Sequence, residues 1–181
     1  LKDYLTKIDS RLAKANFATD IETILDQMQL YDGPKEKRII KNVAAMMFSE
    51  HPEKFFPTTQ VDIVVFPKGR EVDPENFIEV PPIKGPVPMM IRNSLEYLRT
   101  NIIKERITKL TDDERSLKVF NYPFQALEEA VVNALYHRDY KEREPVEITI
   151  EPDRISILSY SGPDRSISLE SLKEANMLRS R

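Results

Sequence analysis

The sequence predicts an α+β fold in which a mixed or antiparallel sheet is covered by helices, and three observations carry that expectation. Apolar residues recur at helical spacing in several separate segments, a β-branched run stands between prolines at 61–66, and period-two alternation occurs twice in succession at 146–150 and 154–158. Helical and extended segments are intermixed along the chain, which suits helices layered on one sheet.

Taken in order, Leu1, Leu5, Ile8 and Leu12, then Ile21, Ile24, Leu25 and Met28, predict two short amphipathic helices. Thr19 or Asp20 offers an N-cap for the second, and Asp32-Gly33-Pro34 ends it with turn chemistry. Ile39, Ile40, Val43, Met46 and Met47 predict a third helix from about Lys35 to Glu50, closed by His51-Pro52, with the methionine pair read as core filling. Val61 to Phe66 is a buried strand, and a second is expected from Asn76 to Val80. The cluster Pro81, Pro82, Pro86 and Pro88 is too short and irregular for a polyproline ligand and marks a stiff turn. From Val87 a longer helix carries Met90, Ile91, Leu95, Leu98, Ile102 and Ile103, and Leu117 to Phe120 is a third strand. The alternating pair 146–150 and 154–158, turning at Glu151-Pro152-Asp153, is an antiparallel hairpin, and a last helix is expected from Ser168 to Ala175.

The chain of 181 residues carries 27 basic and 30 acidic side chains, for a net charge of −3. It therefore lacks the basic excess that phosphate-backbone binding leaves in a composition. The local basic clusters, Lys35-Lys37-Arg38-Lys41 and Lys104-Arg106-Lys109, are interleaved with Glu36 and Glu105 and read as solvated helix faces. No apolar run is long enough to span a bilayer, and the absence of cysteine excludes disulfides and thiolate metal sites. A soluble, cytoplasmic protein without a membrane partner is the expectation.

The segment between the third strand and the hairpin holds the chemistry. Glu129, Asn133 and His137 are four residues apart, so on a helix each step drifts by about 40° and the three form one polar stripe. Leu127, Ala130, Val131 and Ala134 are expected on the opposite, sheet-facing side. A carboxylate, a carboxamide and an imidazole aimed into one cleft can do chemistry; the plainer reading is the solvated side of a half-exposed helix.

The block Tyr122-Pro123, Glu129-Ala130, Asn133-Ala134 and His137-Arg138-Asp139-Tyr140 resembles the signature of bacterial Schlafen/Alba-type transcriptional regulators, also described as RecG-like helicase C-terminal proteins. Glu128 stands where that family usually carries Arg. The resemblance continues through Asp153 to Pro163, where Ser161 replaces a common Pro or Gly, and upstream through Lys37 to Pro57. It implies that the chain is the middle part of a longer protein: residues 1–32 a helical linker to a nucleic-acid-binding module, 33–115 an α/β region, and 116–181 a partial GHKL-like region packed with it.

The Glu-x-x-x-Asn helix followed by a hairpin is also similar to the N-box region of GHKL (Bergerat-type) ATPases. That resemblance implies a catalytic position at Glu129, which would orient or deprotonate water, and a magnesium-holding carbonyl at Asn133. Beside Asn133, the candidate nucleotide-binding positions are His137, Arg138, Asp139, Ser159 and Gly162. Magnesium prefers oxygen ligands and keeps its waters, and phosphoryl transfer needs mainly positioning and charge neutralisation. Two departures count against ATP binding by this chain alone: the Ser159-Tyr160-Ser161-Gly162-Pro163 turn lacks the adenine-reading acid, and Gly162 is the last of four glycines, so no glycine-rich lid follows.

Other chemistries are excluded by spacing. His137-Arg138-Asp139 lacks the Asn of a kinase catalytic loop, since Glu144 stands there, and no Gly-x-Ser-x-Gly elbow or metal-ligand pattern is present. Three functions remain open: the regulatory or interaction module of a DNA-binding transcriptional regulator, a nucleotide-binding GHKL-like domain using ATP and Mg²⁺ in the full-length protein, and a structural unit for homodimerisation. DNA is expected to be contacted by flanking domains.

Overall fold

The computed structural model describes residues 1, 5–6, 20–109 and 116–160. Among the described residues, four helices of seven residues or more and a mixed sheet make an α+β fold. Helix α1 spans Ile21–Gln27, α2 Asn42–Phe48, α3 Val87–Asn101 and α4 Phe124–Tyr136. The strands are β1 Tyr31–Asp32, β2 Ile39–Ile40, β3 Gln60–Val65, β4 Ile78–Glu79, β5 Ile83–Lys84, β6 Glu105–Lys109, β7 Ser116–Phe120, β8 Val146–Ile150 and β9 Ile155–Leu158.

The main sheet runs β4-β3-β8-β9, with β5 pairing β3 beside β4. Strand β3 is parallel to β8, from Val61 opposite Val146 to Val65 opposite Ile150, and its other pairings are antiparallel. That register sends Val61, Ile63, Val146, Ile148 and Ile150 to one face, where all five are buried. Helices α3 and α4 cover this face, contributing Met90, Leu95, Leu98, Leu127, Val131 and Leu135 to a single core. The alternate positions Asp62, Val64, Glu147 and Thr149 form the other face.

The β8–β9 hairpin is built as the alternation predicts, with Ile148 opposite Ile157 and Ile150 opposite Ile155. Its turn is clamped by Glu151, which accepts hydrogen bonds from the Arg70 N–H at 2.9 Å and from Arg154 Nε at 2.5 Å. These bonds hold the Glu151 carboxyl below the usual carboxylate range, with the Arg154 bond first.

The stretch read as a stiff proline turn holds the two-residue strand β5, β4 is shorter than the expected Asn76 to Val80, and three further elements differ from expectation. The predicted helix over Lys35 to Glu50 is only α2, because residues 31–40 form a small hairpin in which Tyr31 pairs Ile40 and Asp32 pairs Ile39. Gly33 permits its turn: φ is +84°, and a Cβ there would lie 2.6 Å from the Lys37 carbonyl oxygen. Arg38 then lies over the Tyr31 ring at 5.2 Å and pairs with Asp26 at 3.2 Å, local contacts that a helix through 35–41 would forgo. Ile39, Ile40 and Val43 are 62%, 53% and 50% exposed, so the stripe read as one buried helix face is divided between two elements. The second basic cluster is likewise not helical, since Glu105–Lys109 is a strand. Strand β7, placed correctly, pairs with that β6 in a separate hairpin instead of joining the main sheet. The first helix beyond its residues 1, 5 and 6, and the predicted helix from Ser168 to Ala175, lie outside the described residues.

Candidate functional site

Helix α4 begins after Pro123, whose fixed φ and missing N–H suit a helix start, and ends where His137 takes the C-cap with its N–H on the Asn133 carbonyl at 3.0 Å. Leu127, Val131 and Leu135 are 8%, 1% and 1% exposed. Burying each stabilises the docked helix by roughly 1.5–3 kcal/mol. Spacings of four place Glu129 and Asn133 away from that stripe, and both are exposed. Ala130, expected on the sheet-facing side, is exposed as well; Leu135 takes the buried place, because the core-facing stripe follows 127, 131 and 135. Among the described residues the Glu129 carboxylate and the Asn133 side-chain amide have no hydrogen-bond partner.

The four residues after the helix divide into two kinds. His137 and Asp139 are exposed, whereas Arg138 is 4% exposed and Tyr140 is half-buried. The Arg138 guanidinium points inward: Nη2 donates to the Glu144 carbonyl at 2.5 Å, and to the Glu142 carbonyl and Thr58 Oγ1 at 3.3 Å each. Its carbon lies 5.0 Å from the centre of the Tyr140 ring. No carboxylate pairs with Arg138 among the described residues, Nε and Nη1 have no partner, and burial lowers its pKa. Tyr140 donates its hydroxyl to the Leu135 carbonyl at 2.6 Å and meets Phe56 edge-on at 6.5 Å. Burial pushes its phenol up to about 12, with Arg138 opposing. Arg138 and Tyr140 thus peg the end of α4 to the loop before β8 and to the turn before β3.

The hairpin closes against the same helix end. Ser159 Oγ donates to the Ala134 carbonyl at 2.7 Å, and the Asp139 N–H donates to the Tyr160 carbonyl at 3.0 Å. Asp139 Oδ1 accepts the Lys141 N–H at 2.9 Å, so both ends of Asp139 define the turn. The structure therefore brings Asn133, His137, Asp139 and Ser159 to one end of α4, with Glu129 one turn back from Asn133. Gly162 lies outside the described residues.

In chemical terms the exposed edge carries two carboxylates, Glu129 and Asp139, one carboxamide and one imidazole. Among the described residues no group of three His, Cys, Asp or Glu could hold a metal ion unaided. Magnesium shared with phosphate oxygens and water needs fewer protein ligands, and a single carboxamide oxygen is compatible with that. Sequence reasoning missed Thr58 and the Glu142 and Glu144 carbonyls as the partners of Arg138. Main-chain acceptors carry no residue signature, and Thr58 reaches its place through a left-handed φ of 62°.

No family model matches the chain, and no curated protein matches it. The crystal structure of the DIP2311 protein from Corynebacterium diphtheriae is similar in fold, with a TM-score of 0.59 and 20% identity over 88% of this chain. The match takes up 30% of that protein, so this chain spans less than a third of its length. At such identity the likeness shows the fold alone. No helix among the described residues is long and apolar enough to cross a membrane.

Proposed function

We propose that this chain is the regulatory module of a DNA-associated transcriptional regulator, and that the module's input is a magnesium-bound nucleotide read by the exposed edge of α4. The observation that carries the reading is the junction of Ser159 and Tyr160 with Ala134 and Asp139, at 2.7 and 3.0 Å, which supports a hairpin end standing beside the Glu129–Asn133 edge. In this reading the Asn133 carbonyl contributes to the magnesium shell, and Glu129 is the group within one water of the terminal phosphate.

DNA is contacted elsewhere in the parent protein. The outer face of the sheet carries Asp62, Glu79 and Glu147 around Gln60 and Thr149, an arrangement that repels phosphates. The chain by itself hydrolyses no ATP, because the turn after β9 offers Ser159 and Tyr160 where an adenine-reading acid is needed.

Equilibrium titration of the full-length parent protein with ATP and ADP, with and without Mg²⁺, tests the proposal. Magnesium-dependent binding that weakens in Asn133→Ala and survives in Glu129→Ala, with any turnover abolished in Glu129→Ala, supports it. Full turnover in Glu129→Ala removes that residue from catalysis.

A further inference from the structure

A separate cavity of about 320 Å³ lies between α2 and the end of α4. Its apolar lining comes largely from Met46, Met47, Phe56, Val87 and Leu135, while Asn42, Asp139 and Lys141 are polar side chains of the lining beside two tyrosines. Met46, Val87 and Leu135 are buried, whereas Asn42, Asp139 and Lys141 are exposed and so stand at the mouth. Among the described residues Asp139 and Lys141 make no ion pair with each other, the Lys141 ammonium has no partner, and Asp139 makes one side-chain hydrogen bond, Oδ1 accepting the Lys141 N–H, while its charge also acts on the Arg138 guanidinium. The Asn42 amide is also without a partner among these residues.

We propose that this cavity binds a small zwitterion, an α-amino acid with a large apolar side chain. An apolar chamber of this volume lies at the small end of ligand pockets, which are mostly apolar with a few polar groups that fix orientation. The two methionines are unbranched and adapt to an incoming side chain. The mouth presents one negative and one positive charge, neither neutralised by the other. A purely cationic or purely anionic ligand would satisfy one and be repelled by its neighbour; an ammonium facing Asp139 and a carboxylate facing Lys141 and Asn42 satisfy all three groups. The inference shares Asp139 with the candidate nucleotide-binding positions, but neither Glu129, Asn133 nor Ser159 lines the cavity, so Lys141→Glu tests it apart from the nucleotide reading.

The test is calorimetric titration of the chain with L-leucine, L-methionine and L-phenylalanine, with phenethylamine and 3-phenylpropionate as single-charge controls. One saturable site for at least one of the amino acids is expected, with each control at least tenfold weaker than L-phenylalanine. Lys141→Glu, at an exposed side chain without a partner among the described residues, should weaken binding at least tenfold without changing the unfolding midpoint. Met47→Trp should abolish binding by filling the chamber, and if that variant does not fold, Lys141→Glu decides alone. No saturation at millimolar ligand, controls that bind as tightly as the amino acid, or unchanged affinity in Lys141→Glu would each overturn the proposal. So would a concentration-dependent dimer that blocks the titration, because a second copy would then occupy the mouth.

Discussion

Arg138 shows how one residue can be named by a motif and yet placed by packing. Among the described residues this buried cation has no carboxylate partner, and of its three nitrogens only Nη2 finds acceptors, two carbonyls and a hydroxyl. Removing it leaves those carbonyls without a donor, so Arg138→Ala should destabilise the chain by about 1–3 kcal/mol. Urea unfolding with an unchanged slope would measure this; a loss under about 0.5 kcal/mol would show that solvent replaces the guanidinium. Tyr140 gives a pH prediction. Its folded-state pKa, about 12, is raised above the ordinary 10.0, so its contribution is fully present below pH 10 and is lost as pH rises through 12. Difference absorbance of phenolate formation should show one tyrosine titrating about two units late, and Tyr140→Phe should remove that component. In the sequence, core packing is the plain reading of Tyr140, and it is partly buried against the core; the inward turn of Arg138 was not legible, because it depends on Thr58, some eighty residues away, and on main-chain carbonyls.

At the scale of the element, α4 presents two stripes whose substitutions should behave oppositely. Leu135 is 1% exposed, and Leu135→Ala should cost about 2–5 kcal/mol through lost burial and the cavity it leaves. Glu129→Ala and Asn133→Ala, at exposed side chains without partners among the described residues, should change stability by less than about 0.5 kcal/mol. Chemical denaturation of the three variants checks this, and a cost above about 1 kcal/mol for Asn133→Ala would make the polar stripe structural. Long periodic elements were legible in the sequence: α3, α4, β3 and the β8–β9 hairpin lie where spacing put them. The region 31–40 was not, since Ile39 and Ile40 extend an apolar helical period that begins in earnest only at Asn42. The strand Glu105–Lys109 was hidden by its charges, which suit a solvated helix as well as a strand outside the main sheet.

For the whole molecule, a net charge of −3 and an outer sheet face bearing Asp62, Glu79 and Glu147 set the expected partner behaviour. The chain alone should bind duplex DNA no more tightly than about 10⁻⁶ M at physiological salt, without sequence preference. A sub-micromolar, sequence-selective mobility shift by residues 1–181 would place the DNA-reading surface inside this module. The α+β class was legible from the order of elements, and so was the pairing of a helix with a following hairpin. The parallel pairing of β3 with β8 was not, because it joins segments some eighty residues apart and no local pattern encodes that register.

What we propose is that a magnesium-bound nucleotide is read at the exposed edge of α4. Paramagnetic relaxation tests it most directly: Mn²⁺ with ADP is added to the isotopically labelled full-length parent protein, and amide broadening is followed residue by residue. Selective broadening is expected around Asn133, His137 and Ser159, abolished in Asn133→Ala and absent at Asp62 and Glu147. Broadening centred on the outer sheet face, or unchanged broadening in Asn133→Ala, would contradict it.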